Sequence, residues 1–242
     1  MKGTFVSYAK TRFRRLRDHL HTLETSADQE ILHQVRIELK KIRALLRLVH
    51  FHRRKFRDHG AFQQLKQLHR VCGDIRDPGV IGALITQASG EPGVGVREST
   101  ERFTEFQAQI PGYIDMLATE EKRILKQVRR LKKGTYRKFL RKRKKKLKTL
   151  LIPKIRRKEL HESRKLIKEI LFLYLIFRKR KQVNPFYARS AEVIGNWHDK
   201  AMVIQSLSNT RESYAELIED LQRQARTDVS RLKKLIRKFY KR

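Results

Sequence analysis

His33, Arg36, Lys40, Arg43, Arg47 and His50 recur at alternating spacings of three and four, and a row of that kind can hold phosphate. Arg offers a planar fork of donors, Lys a mobile point charge, and His a donor whose charge depends on its surroundings. On a helix the six side chains fall within about a quarter of the circumference. Val35, Leu39, Ile42, Leu46 and Val49 form a purely apolar stripe about 110° further round the same helix. One face is therefore made for a core, and the other presents only positive or potentially positive groups. No acid stands in the row. Like charges aligned at one-turn intervals repel one another unless a polyanion lies along them.

The device occurs twice. His161, Arg164 and Lys168 repeat His33, Arg36 and Lys40 at a constant offset of 128, and Arg178 matches His50. The second row extends backwards through Lys154 and Arg157. Each row is followed by a shared hexapeptide, Cys72-Gly73-Asp74-Ile75-Arg76-Asp77 and Ile194-Gly195-Asn196-Trp197-His198-Asp199, at an offset of 122. Two offsets this close describe one duplicated unit with small loop changes.

His33-x-x-Arg36-x-x-x-Lys40-Lys41-x-Arg43 with Gly73-x-x-Arg76-Asp77, and His161-x-x-Arg164-x-x-x-Lys168 with Gly195-x-x-His198-Asp199, resemble the signature of the CHAD domain, the conserved histidine α-helical domain. The resemblance covers nearly the whole chain. It implies an all-α fold in which two pseudo-symmetric four-helix bundles form one compact unit and bind inorganic polyphosphate along a basic central groove or pore. On this reading residues 1–242 are a single domain, with internal repeats at roughly 4–88 and 98–242 joined by a linker at 89–97. The implied binding residues are His33, Arg36, Lys40, Lys41, Arg43, Arg47, His50 and Arg76 in the first half. In the second they are Lys154, Arg157, His161, Arg164, Lys165, Lys168, Arg178 and His198. Leu171 and Leu175 stand where the first repeat has Arg43 and Arg47, so the second half should grip its ligand through its N-terminal part. Cytoplasmic polyphosphate granules are the implied location.

Composition bounds the alternatives. The formal charge is +34, from 59 Lys+Arg against 25 Asp+Glu, which makes a polyanion the expected partner. Nucleic acid, anionic membrane and polyphosphate all satisfy total charge. The single Cys72 gives neither a disulfide framework nor a four-ligand zinc pattern, and favours an intracellular setting. The N-terminus has no apolar signal core, and no window approaches a membrane span. A metal at His33 or His161 would need further His, Cys or carboxylate ligands, whereas both have basic neighbours. No metal, cofactor or catalytic residue is expected. A metal-dependent phosphohydrolase or phosphotransferase is thus the weaker alternative, for want of an acidic cluster. The other alternative is an RNA- or DNA-binding helical protein; on the polyphosphate reading nucleic acid is a possible weaker competitor. It would use the stretch from Lys122 to Lys181, where 27 Lys+Arg face three acids. Arg141-Lys142-Arg143-Lys144-Lys145-Lys146 is its densest run.

Helices must position these groups. Periodicity predicts one over Val6–Leu23, and a second capped by Ser26 or Asp28 that runs to about Arg57. A third covers Ala61–Ile75. Asp77-Pro78 reads as an N-cap and first helical residue opening a fourth, to about Ala88. Beyond the Gly- and Pro-rich linker, helices are expected over Glu98–Gln109 and Tyr113–Lys133, separated at Pro111-Gly112. The second basic row follows Pro153. Asn184-Pro185 opens the next helix, and Ser208 or Asn209 caps the last.

Overall fold

The computed structural model describes residues 2–53, 59–89, 96–152, 157–177, 182–207 and 214–240. Among them are eight helices and no strand: α1 (Lys2–Thr25), α2 (Gln29–His52), α3 (His59–Ser89), α4 (Val96–Val128), α5 (Lys133–Leu151), α6 (Arg157–Tyr174), α7 (Pro185–Ser206) and α8 (Ala215–Tyr240). The all-α expectation holds. Two compact units divide the chain, one of Met1–Gly79 with Gly95–Arg141 and one of Val80–Val94 with Lys142–Arg242. This is a different division from the sequence repeats at 4–88 and 98–242.

In the first unit α1 packs on α2 and α4. Phe13, Leu16, Leu20 and Leu23 of α1 are fully buried, as are Leu32, Val35, Leu39 and Ile42 of α2. The apolar stripe of α2 therefore faces the core, and the basic row is turned about a third of a revolution from it. Asp28 caps α2, its carboxylate accepting from the amides of Glu30 at 2.7 Å and Ile31 at 3.2 Å. The helix ends at His52, with Arg53 extended, several residues short of the expected Arg57, which lies outside the described residues.

Two expected breaks are absent. Pro78 lies inside α3 and Pro111 inside α4, so Asp77 is not a helix cap. A proline inside a helix strands the carbonyl four residues earlier. At Pro78 that carbonyl belongs to Asp74, and Arg102 of α4 donates to it at 3.2 Å. A side chain 28 positions away supplies the donor that the proline lacks. Pro111 and the following Gly112 are both exposed, where water can serve the same need.

In the second unit α7 packs on α6 and α8. Asn184 caps α7 by accepting from the Phe186 amide at 2.9 Å, with Pro185 in the first turn. Ile85 near the end of α3 joins Val203, Leu207, Ile218 and Leu221 in one apolar cluster. The inner face of α8 carries Ile218, Leu221, Leu232 and Ile236, with Asp228 buried among them. Leu235 and Phe239 are only partly buried.

Buried acids tie several cations into this framework. Glu38 is 2 % exposed and accepts from Arg12 of α1 at 3.2 Å and from Lys41 at 2.7 Å. Asp228 holds Lys200 at 2.8 Å, with Arg231 at 3.8 Å. Removing a buried acid leaves its cations desolvated and unbalanced. Glu38→Ala should lower the unfolding free energy by about 3 kcal/mol, read as a reduced urea midpoint at unchanged m-value.

Candidate functional site

The basic row of α2 and the middle of α3 meet inside the first unit. Arg36 reaches across to Asp77 and donates through both terminal nitrogens, Nη1 to Oδ1 at 2.6 Å and Nη2 to Oδ2 at 3.3 Å. Its guanidinium lies against Gly73, where a Cβ would sit 3.5 Å from Cζ, Nη1 and Nη2. A methyl group would just touch the guanidinium, and a longer side chain would push it off Asp77. Gly73 therefore serves close approach of α2 to α3. Asp77 is the orienting acid of this cluster.

Lys40, Arg43 and Arg47 continue the row, all partly buried, while His50 at its end is exposed. Burial and the neighbouring Arg47 lower the pKa of Arg43. Arg76 of α3 lies close enough to His33 to disfavour its protonation. Lys41 belongs elsewhere: it is bound to Glu38, away from the row it adjoins in sequence.

His69 joins the cluster, although the sequence reading passed over it. The groups whose fields reach it are Lys40, Arg43 and Arg36 from α2 and Asp77 from its own helix. Its signal was its spacing: it precedes Gly73 by four and Arg76 by seven, which places all three on one face of α3. Burial, reinforced by Lys40, Arg43 and Arg36, pushes the His69 pKa down to about 3, against the opposing effect of Asp77. Burial also pushes His33 down to about 4, with Arg76, Lys40 and Arg36 acting in the same sense and Glu30 against them. Both imidazoles are neutral near pH 7. Four buried nitrogens here lack a hydrogen-bond partner: His33 Nδ1, Arg36 Nε, Arg43 Nε and His69 Nε2. Buried polar atoms are ordinarily satisfied; here the two Arg Nε–H donors have no acceptor among the described residues, and the imidazole nitrogens can donate or accept according to tautomer.

The second unit repeats part of this arrangement. His161 of α6 and His198 of α7 stack with centroids 5.4 Å apart and planes at 29°. Burial and then Arg164 hold the His198 pKa down. For His161 the causes are burial, Lys165 and Arg164. Asp199 Oδ1 stands 3.9 Å from His198 Nδ1. Lys168 is partly buried and Lys165 exposed. Lys154 and Arg178 lie outside the described residues. Arg157 opens α6, and its side chain is likewise outside them. Gly195 is within α7 with nothing near its missing Cβ, so it does not repeat the close approach made at Gly73.

The Arg141–Lys146 run is partly consumed by structure. Arg143 pairs with buried Glu169 at 3.0 Å, Lys146 lies 3.8 Å from Glu162, and Lys144 sits over the Tyr174 ring at 5.1 Å. Among the described residues no three His, Cys, Asp or Glu side chains converge as metal ligands. No helix there is long and apolar enough to cross a membrane.

The CHAD domain family model matches residues 7–208. The chain belongs to the CHAD domain family. The crystal structure of the CHAD domain from the plant Ricinus communis is similar to it, with a TM-score of 0.70 at 14 % identity, over 98 % of this chain and 91 % of that one. No curated protein matches the chain. At that identity the likeness is one of fold.

The depressed histidines of this CHAD domain set the sign of an acid response. Unfolded, His33 and His69 titrate near the ordinary value of about 6.5; folded, they titrate at about 4 and about 3. Below about pH 6.5 the unfolded chain binds more protons, so stability falls as pH falls from there towards 4. The double substitution His33→Gln, His69→Gln should flatten the fall of the urea midpoint in that window. An unchanged slope would show that other groups drive it.

Proposed function

We propose that this CHAD domain binds inorganic polyphosphate and does no chemistry on it. The α2 row, with His69 and Arg76 of α3, is the main contact in the first unit. His161, Arg164, Lys168 and His198 act in the second. The observation that carries the reading is the unmet hydrogen-bonding capacity around Arg36: among the described residues the buried Nε–H donors of Arg36 and Arg43 have no acceptor, and buried ring nitrogens of His33 and His69 beside them have no partner. Phosphoryl oxygens would satisfy those donors by charge-assisted hydrogen bonds. From His33 to His50 the row runs about 25 Å along the helix. Identical anionic units with no base edges suit such a ladder, which reads charge and spacing and no sequence. Family membership supports the same ligand. The protein would then reside where polyphosphate accumulates, in granules.

Binding driven by counterion release falls steeply with salt. Arg36→Ala with Arg164→Ala should weaken long-chain polyphosphate binding at least tenfold at physiological salt, with helicity by circular dichroism retained. Affinity per chain should rise with length until a chain fills the row, and level off beyond. Incubation with Mg²⁺ or Mn²⁺ should release no orthophosphate. Unchanged affinity in the double variant would reject the assigned row, and orthophosphate release would reject a pure binding role.

A further inference from the structure

A second cationic surface lies in the first unit, where α4 turns into α5. Lys126, Arg129 and Arg130 at the end of α4, and Lys133, Arg137 and Arg141 along the start of α5, are all exposed. No acid occurs between Glu121 and Glu159, and none of these six cations makes an ion pair with a described residue. They differ from the row on α2, whose members are mostly part-buried and crowded against α3. The corner beneath them is firmly held. Val128, Leu131, Tyr136, Phe139 and Leu140 are buried. Phe139 packs on Phe51 at 5.1 Å, and His52 meets Thr135 at 3.1 Å. The surface thus lies over a packed corner and bears charge that no acid among the described residues pairs, which costs stability by self-repulsion unless an anion covers it.

We infer that this α4–α5 corner binds the backbone of duplex nucleic acid without reading its sequence, independently of the α2 row. Spacing is compatible with this ligand. Lys133, Arg137 and Arg141 follow one another at four-residue steps, about 6 Å each. Phosphates separated by a sugar can match that interval. Single strands are bound by stacking bases on exposed aromatic rings, and here Tyr136 and Phe139 are both buried. Anionic membranes add insertion of apolar side chains to charge. The corner presents none, Ile152 being the one large exposed hydrophobic among the described residues. Charge contact alone, with no base contacts, is the pattern of sequence-independent duplex binding.

The test is fluorescence anisotropy of a short mixed-sequence DNA duplex, titrated with the whole chain from about 50 to 200 mM salt. Lys133→Ala, Arg137→Ala, Arg141→Ala together should weaken duplex binding at least tenfold. They should also reduce the log–log salt slope by about 3, one phosphate contact per residue lost. Alanine at exposed helix positions keeps helicity, which circular dichroism verifies. The Arg36→Ala, Arg164→Ala variant should bind the duplex within twofold of the parent. Four results would overturn the assignment: undiminished binding by the triple variant, equal loss in the Arg36/Arg164 variant, tighter binding of the single strand, or capture by phosphatidylserine vesicles without capture by the duplex. Since the readout uses no polyphosphate, it stands or falls separately from the proposed function.

Discussion

Cations of like sign are held against one another where α2 meets α3, and the rest of the first unit has to make that tolerable. Arg36, Lys40 and Arg43 come from one helix and Arg76 from the other, with Asp77 as the orienting acid. Their mutual repulsion opposes folding. What opposes it in turn is non-directional burial on the far side of α2: Leu32, Val35, Leu39 and Ile42 are fully enclosed. Each such side chain contributes about 2 kcal/mol on leaving water. The two faces of one helix thus act together, since the apolar face fixes in place a row of like charges on the other.

Acids are distributed to match. Glu38, Glu169 and Asp228 are buried at 2, 5 and 3 % exposure, and each engages cations that belong to the framework: Arg12 and Lys41, Arg143, and Lys200. A carboxylate kept out of water with its partners is spoken for and cannot neutralise a row elsewhere. The large excess of Lys and Arg is therefore sorted into cations that anchor helices, cations gathered around histidine, and cations left at the surface of the α4–α5 corner. Total charge says nothing of this sorting.

Periodicity made the helices legible, and the reason is physical. Burial of one stripe dominates helix placement, so Phe13, Leu16, Leu20 and Leu23 on α1 had to lie inside. The caps at Asp28 and Asn184 were equally plain, because an orphan amide needs an acceptor close in sequence. Breaks at Pro78 and Pro111 were not legible. Whether a proline ends a helix depends on what becomes of the stranded carbonyl, and at Asp74 the answer comes from Arg102 on another helix. The site shows the same limit. The row on α2 could be read from spacing alone, whereas the place of Lys41 depended on Glu38 being buried beside Arg12. His69 needed the docking of α3 against α2 before its neighbours were known.

Histidine at positions 33 and 69 follows from the same constraint. A lysine at 69 would add another fixed charge to a space already facing Lys40, Arg43 and Arg36, and leucine would offer an arriving anion no donor. Neutral imidazole avoids both faults: it adds no repulsion while the site is empty, yet it keeps an N–H. The field that suppresses its proton is made by cations, and a polyanion laid along them reverses that field. Such a polyanion would therefore favour a charge on imidazoles that are uncharged without it. A row built from lysine and arginine alone would bear its full repulsion at all times, whereas one that includes histidine develops part of its charge only in the presence of an anion.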